Sequence, residues 1–231
     1  MIKLSVIIPC FNEYQTISKI VNKITKLDKY NIEIIVVDDF STDGSREILQ
    51  KNLKDEIQHL VLNKKNYGKG FSIREGINRA SGEIILIQDA DLEYDPSDYS
   101  KLINPIVNLN ADVVFGSRFV GSQEKRVLYF WHTLGNKFLT LISNIFTNLN
   151  LTDMECCYKV FKSEVIKNIK LVENRFGFEP EVTAKISKKK NLKIYEVGVH
   201  YHGRKYSEGK KITWKDGFSA LRCILKYNLF Y

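Results

Sequence analysis

Five short, almost unbroken runs of apolar and β-branched residues constrain this chain most. They are residues 4–9 (LSVIIP), 32–38 (IEIIVVD), 57–62 (IQHLVL), 83–88 (EIILIQ) and 112–117 (DVVFGS). A strand with one wet face alternates apolar and polar side chains. A run without that alternation reads as a strand buried on both faces, as in the interior of a parallel sheet. Between the runs lie stretches of helical periodicity: 14–27, with Ile17, Ile20, Val21, Ile24 and Leu27 on one face, then 43–53 and 70–80. Parallel neighbours require a crossover, and an amphipathic helix supplies it. The pattern predicts an α/β fold with a mostly parallel central sheet flanked by helices. The 231 residues suit one sizeable domain, alone or with an appended segment.

The second half has a different character. Residues 118–126 (RFVGSQEKR) are polar and glycine-containing, and read as a mobile loop. Residues 127–149 are strongly apolar with scattered polar positions. Segment 212–229 sets Trp214, Phe218, Leu221, Leu225 and Leu229 at helical spacing, with Lys215, Arg222 and Lys226 elsewhere on its surface. No run of about 18 apolar residues occurs, so no transmembrane helix is expected, and the LSVIIP run after Met1 is too short for a signal peptide. Cys10, Cys156, Cys157 and Cys223 form no CxxC pair and no pairing rhythm. That argues against a disulfide framework or zinc site and for a reducing setting.

Ligands of open parallel sheets collect beyond the carboxyl ends of the strands, and polar residues recur there. The first strand ends in Pro9-Cys-Phe-Asn-Glu13 and the second in Asp38-Asp39-Phe-Ser-Thr-Asp43. The fourth ends in Asp89-Ala-Asp91, with Glu93 and Asp95 close behind, and the fifth in Gly116-Ser-Arg118. If extended geometry persists past the fourth strand, Asp89 and Asp91 point the same way. Their repulsion then favours a hard divalent cation, Mg²⁺ or Mn²⁺, shared with substrate phosphates. A DxD triplet is also a common solvated turn, and placement after a buried strand favours the metal. For Asp43 a helix cap is the favoured reading, and for Asp95, before Pro96, turn chemistry. Asn66-Tyr-Gly-Lys-Gly70 meets neither the dinucleotide fingerprint nor the P-loop. The net charge of +8 implies an anionic partner: nucleic acid, an acidic membrane surface or a phosphorylated small molecule.

Taken together, the motifs VIIPCFNE (6–13), VVDDFSTDGS (36–45), NYGKGFSIREGINRASGEIILIQDADLEYDP (66–96), GSRF (116–119) and LTDMECCYKVF (151–161) resemble, in content and order, the family-2 glycosyltransferases of GT-A fold. The chain looks most like the branch that transfers one hexose to a dolichyl or polyprenyl phosphate. The resemblance implies a metal-dependent, inverting hexosyltransferase using a nucleotide-diphosphate sugar. It places Pro9, Phe11 and Glu13 with Val37 and Asp39 around the nucleoside. Asp89 and Asp91 fall on the metal and diphosphate motif, with Ala90 lining the sugar-nucleotide site. Glu93 stands where the branch often has a glutamine that also meets the metal. Arg118 matches a basic position near the phosphates, and Arg204 and Lys210 resemble late basic residues that clamp phosphate. Lys69 either approaches the donor or solvates its loop. The domain division expected is a catalytic domain over 1–211 and an amphipathic C-terminal helix over 212–231.

Two departures shape the expectation. No QxxRW occurs, which argues against the processive synthase type. The TDxxSG box appears as Thr152-Asp153-Met-Glu-Cys-Cys157, without its small pair. That departure bears on acceptor shape and on Asp153, which the resemblance makes a candidate base because other family members carry a catalytic acid near this point. Such a base is required if the acceptor is a sugar hydroxyl of a glycan or lipid-linked precursor. A phosphate monoester, with a second pKa of roughly 6, is largely dianionic already. It needs positioning by groups such as Arg118, Arg204 and Lys210 more than it needs deprotonation. The apolar 127–149 and 212–229 segments, with the basic surplus, suit a peripheral helix on anionic lipid at a cytoplasmic membrane face. A nucleic-acid-binding domain is disfavoured, because acids at the strand ends repel phosphates. A catalytically dead scaffold is disfavoured by the intact DAD.

Overall fold

All five anticipated strands form, and two more join them in one seven-stranded sheet. They are β1 (Lys3–Cys10), β2 (Asn31–Asp38), β3 (His59–Leu62), β4 (Ile84–Ile87) and β5 (Val113–Ser117), then β6 (Lys159–Lys162) and β7 (Ile194–Gly198). The computed structural model describes residues 2–121, 126, 127, 129–204 and 214–230, with the backbone alone at 214 and 215. The sheet order is β3-β2-β1-β4-β6-β5-β7. Pairs β1–β2, β1–β4, β2–β3 and β5–β7 are parallel, whereas β6 runs antiparallel to both β4 and β5.

Two features of this order position the site. The chain winds outward from β1 to β3 and then returns across β1 to β4. The order thus reverses between β1 and β4, the place where open sheets leave a crevice beyond the strand ends. Because β6 is antiparallel, its first residue, Lys159, lies beside Ile87 of β4 and Phe115 of β5. Residues just before β6 therefore reach the same rim as residues just after β4 and β5.

The helices follow the sequence periodicity. Helix α1 (Ile17–Thr25) buries Ile17, Ile20, Val21 and Ile24, each contributing about 1.5–3 kcal/mol by leaving water. Helices α2 (Ser45–Lys51), α3 (Lys69–Arg79) and α4 (Tyr99–Leu109) complete the first half. On α3, a Cβ at Gly76 would overlap the side chain of Ile7 on β1, so glycine lets this helix lie tight against the central strand. Asp95 accepts from Ser97 N (2.9 Å) and caps the 3₁₀ turn Pro96–Asp98, as its place before proline suggests.

The second half adds α5 (Phe130–Thr147), α6 (Ser163–Lys167), α7 (Phe178–Ser187) and α8 (Trp214–Leu229). Helix α5 is packed inside out: it buries Thr140, Ser143 and Thr147 and exposes Phe130, Trp131, Leu134, Phe138, Leu141 and Ile145. Helix α8 packs on α7 and α5. The expected apolar face of α8 is not its buried one. Ala220, Cys223, Ile224 and Tyr227 are buried, while Phe218, Leu225 and Leu229 are exposed. Among the described residues no helix is long and apolar enough to cross a membrane. Of the polar segment after β5, residues 122–125 lie outside the described residues.

Candidate active site

The crevice between β1 and β4 is built first from two interlocked loops. After β1, Asn12 N donates to Ser41 Oγ (2.9 Å) and Glu13 N to Ser45 Oγ (2.8 Å), while Thr42 N donates back to Asn12 Oδ1 (2.8 Å). Asp43 accepts from Tyr14 N and from Ser45 N and Oγ at the start of α2. The N-cap position of α2 is Gly44, so Asp43, one residue earlier, ties the two loops and closes a turn onto the first residue of the helix rather than capping it as expected. Asp39, buried, accepts from Asn63 Nδ2 (2.8 Å) and Tyr67 N (2.9 Å) on one oxygen and from Gly68 N (2.7 Å) on the other. Gly68 meets it with φ +104°, a conformation that other residues rarely adopt. Phe40, next in sequence, also has positive φ (67°) and is exposed under the Arg46 guanidinium. An aromatic residue held there is under backbone strain.

The acids after β4 are shared between two cations. Strand β4 ends at Ile87, so the extended alternation expected to aim Asp89 and Asp91 together does not persist. Asp89 Oδ1 lies 2.9 Å from Lys69 Nζ. That amine also reaches Glu179 Oε1 (3.2 Å) on α7 and donates to Cys157 Sγ (3.3 Å). Asp91 Oδ2 instead accepts from Arg204 Nη2 (2.7 Å). The same guanidinium bonds both oxygens of Glu13 at 3.2 Å and Glu93 Oε1 at 3.3 Å. Glu93 Oε2 accepts from Tyr201 OH (2.8 Å). Among the described residues, no three His, Cys, Asp or Glu side chains are grouped as a ready metal shell. The expected trio Asp89, Asp91 and Glu93 is therefore split, and only the last two share a cation.

This arrangement is electrostatically lopsided. Burial, with the charges of Asp89 and Glu93, pushes the Asp91 carboxyl up to about 8 against the opposing pull of Arg204. For Asp89, burial acts in the same upward direction and is the largest influence, but Lys69, the Cys157 thiol and Arg204 together outweigh it and hold this acid below its ordinary value. Two acids two residues apart are thus moved in opposite directions.

The far side of the crevice is carried by β5 and by the loop before β6. Arg118 forks onto Asp153, with Nε to Oδ2 at 2.6 Å and Nη2 to Oδ1 at 2.7 Å, and its backbone N donates to the same carboxylate (3.0 Å). Asp153 is fully buried. Lys159, also buried, donates to the carbonyls of Met154 and Cys156 and so pins this loop to β6. Glu155 lies in the loop. Its carboxyl is pushed up to about 8 by burial and then by Glu179, with Lys159 and Arg118 opposing. Tyr94 packs between Tyr158 and Tyr201 and links the loop to the acids after β4.

The structure gathers the sequence candidates unevenly. Glu13, Asp91, Glu93 and Arg204 meet at one cluster, Lys69 and Asp89 at a second, and Arg118 and Asp153 at a third. Pro9 and Val37 face each other in register at the ends of β1 and β2, with Val37 fully buried. Phe11 is half-buried and Ala90 buried. Lys210 lies outside the described residues. Sequence reasoning missed Glu155, Glu179, Tyr201 and Cys157. Glu179 sits in the run RFGFEPEV, where two acids within a predominantly apolar stretch were the available signal.

The profile of the family "Glycosyl transferase family 2" matches residues 5–170. The undecaprenyl-phosphate 4-deoxy-4-formamido-L-arabinose transferase of Yersinia pestis (strain Pestoides F) is 26% identical over 234 residues, covering 99% of this chain and 65% of the relative. The dodecaprenyl-phosphate galacturonate synthase of Rhizobium johnstonii is 25% identical over 214 residues, covering 90% of this chain and 62% of the relative. The chain thus spans less than two thirds of the length of these two proteins. An uncharacterized protein of Methanocaldococcus jannaschii is 28% identical over 236 residues, with 96% and 97% coverage. Among solved structures, glucosyl-3-phosphoglycerate synthase from Mycobacterium tuberculosis, in complex with Mn²⁺, UDP and glucosyl-3-phosphoglycerate, superposes with a TM-score of 0.76 at 17% identity. It covers 98% of this chain and 80% of that one. At that identity the likeness shows the fold, GT-A.

Proposed function

The chain belongs to glycosyl transferase family 2, and from that premise we propose that it is an inverting hexosyltransferase. Its donor is a nucleotide-diphosphate sugar of the UDP-glucose or GDP-mannose type, and its acceptor a polyprenyl or dolichyl phosphate at a membrane surface. The observation that carries the reading is the Glu13–Asp91–Glu93–Arg204 cluster at the β1–β4 switch point. Carboxylates and a guanidinium are held there where a diphosphate would enter. Relatives named for undecaprenyl and dodecaprenyl phosphates support the acceptor class.

A divalent cation fits this cluster, although no three-acid shell is preformed. Mg²⁺ takes one or two carboxylates and completes its octahedron with phosphate oxygens and water. The crowded Asp91, pushed up to about 8, has too little positive charge around it. Asp91 and Glu93 would hold Mg²⁺ or Mn²⁺, and Asp89, committed to Lys69, would not. The bound ion supplies charge neutralisation for the departing diphosphate. Arg204 would pass from the carboxylates to the donor's phosphates. Asp153, with both oxygens taken by Arg118, acts as an anchor for that arginine rather than as a base. That suits a phosphate acceptor, already anionic and in need of positioning, better than a sugar hydroxyl. Arg118 presents its charge to the acceptor phosphate, and Lys69 holds Asp89 and Glu179 in place.

The inside-out α5, with the exposed residues of α8, supplies the lipid-facing surface. Its 18 residues span about 27 Å at the helical rise, and the +8 charge favours an anionic bilayer. The deciding experiment offers UDP- and GDP-hexoses with polyprenyl phosphate in anionic vesicles, with and without Mn²⁺. A sugar–lipid phosphate product that requires metal, together with flotation of the protein at low salt, is expected. Transfer only to hydroxyl acceptors would sink the acceptor assignment, and a protein that never floats would sink the membrane one.

A further inference from the structure

Gln88, which stands between the last residue of β4 and the acids, is fully buried. Its Nε2 donates to the carbonyl of Asp89 (3.0 Å), and its Oε1 accepts from Tyr99 OH (2.9 Å) and Tyr158 OH (2.7 Å). Both tyrosines are buried as well. A carbonyl can only accept, so the amide stands one way round, with its oxygen toward the two hydroxyls. Taking an amide out of water costs free energy, and an apolar side chain of the same length would fill this place without that cost. The three hydrogen bonds offset the cost, but the reason for an amide lies in what those bonds fix.

The partners come from three segments of the chain. Tyr99 opens α4, Tyr158 stands just before β6, and the Asp89 carbonyl belongs to the turn out of β4. Tyr94 packs on the ring of Tyr158 (centroids 4.8 Å apart), and Tyr99 meets the same ring edge-on. The ladder between β4 and β6 ends at Ile87 with Lys159, and one residue later Gln88 N donates to Ile7 O (2.9 Å). Beyond that point the sheet no longer guides the backbone, and the Gln88 amide holds the carbonyl of Asp89 instead. Asp91 follows after the buried Ala90 and accepts from Glu93 N (3.0 Å). A pinned carbonyl, a buried alanine and a closed turn thus set where Asp91 and Glu93 stand, and leave Asp89 to Lys69.

We propose that Gln88 is a positioning residue for the divalent cation: by pinning the Asp89 carbonyl, its side-chain amide aims the Asp91–Glu93 pair at the ion. The inference rests on the metal reading above, in which Asp91 and Glu93 hold Mg²⁺ or Mn²⁺, and adds the group that orients them. Groups that orient ligating carboxylates from behind set metal affinity together with the ligands themselves.

The test follows free Mn²⁺ by its paramagnetic resonance as the ion is titrated into the intact chain with UDP or with GDP. Gln88→Met keeps the length of the side chain and removes all three hydrogen bonds. Tyr99→Phe removes one of them and leaves the bond to the Asp89 carbonyl. Both variants should melt lower than wild type, which is what a purely structural role predicts for each. Only Gln88→Met should also weaken Mn²⁺ binding, by at least about tenfold, with Tyr99→Phe staying within about threefold of wild type. Wild-type Mn²⁺ affinity in a folded Gln88→Met chain would overturn the inference, and so would an equal loss in Tyr99→Phe. Should Gln88→Met not fold, Gln88→Asn, which keeps a buried amide but shortens its reach, decides by the same comparison. Loss of the fold in both would overturn the inference too, because Gln88 would then serve the core and not the ion. If wild type binds no Mn²⁺ with either nucleotide, the metal reading falls and this inference falls with it.

Discussion

Glu33 and Asp91 are both buried acids of one sheet, at opposite edges of it, and they are treated in opposite ways. Glu33, near the start of β2, accepts from Ser5 Oγ, Ser81 N and Ser81 Oγ. Burial alone would raise its carboxyl, but these hydrogen bonds, with Lys3, take it down to about 2. Asp91, beyond the end of β4, has one backbone donor and one guanidinium among three other carboxylates, and is pushed up to about 8. At the amino-terminal edge the protein neutralises its own charge with short, local donors. At the carboxyl-terminal rim it leaves the charge in deficit. A deficit kept inside a well-packed fold marks the place where a ligand completes the structure.

Substitutions test this contrast by moving an acid from one class to the other. Replacing Arg118 with Met should have the largest effect, because it strips a completed buried acid, Asp153, of its cation. Breaking such a pair costs about 3–5 kcal/mol, readable in a denaturant melt; a loss within the noise would show that Asp153 is not held in this way. Asp91→Asn should do the reverse. Turnover should fall by about a hundredfold or more, while the melting temperature stays level, since the amide resembles the uncharged carboxyl that burial and crowding already favour at Asp91. Undiminished metal-dependent turnover would refute the role given to Asp91. The smallest effect is expected from Glu33→Gln. The folded carboxyl sits at about 2 against an ordinary value of 4.5. Its stabilisation is therefore fully present above pH 4.5 and disappears as pH falls toward 2. The variant should lose stability at neutral pH and show a flatter melting profile across that acid window. An unaltered profile would place the acid sensitivity elsewhere.

How much of this was legible in the sequence depended on range. Continuous apolar runs announced β1 to β5, because burial on both faces leaves its mark in consecutive residues. Strand β6, KVFK, is four residues long with a lysine at each end, and β7, IYEVG, alternates weakly; neither stands out from its surroundings. The antiparallel insertion of β6 is a tertiary choice with no local signal, yet it brings Asp153 and Glu155 to the rim. The acids after β4 were legible as a group. Their division between Lys69 and Arg204 was not, because it depends on where the strand stops. The apolar content of α5 was plain, but its direction was not. A helix with threonine and serine inward and aromatics outward follows the same periodicity as its inverse, and only its packing fixes which face is dry.

The bond from Arg204 to Glu13 joins positions 191 residues apart, and the one to Asp91 spans 113. Such closures carry the entropy cost of long loops and come late in folding. A chain emerging from its amino terminus can align β1 to β4 with their acids already crowded at one edge. The arginine that balances them arrives after most of the polypeptide has been made. A chain stopped short of residue 204 would carry Glu13, Asp91 and Glu93 without the arginine that bonds all three.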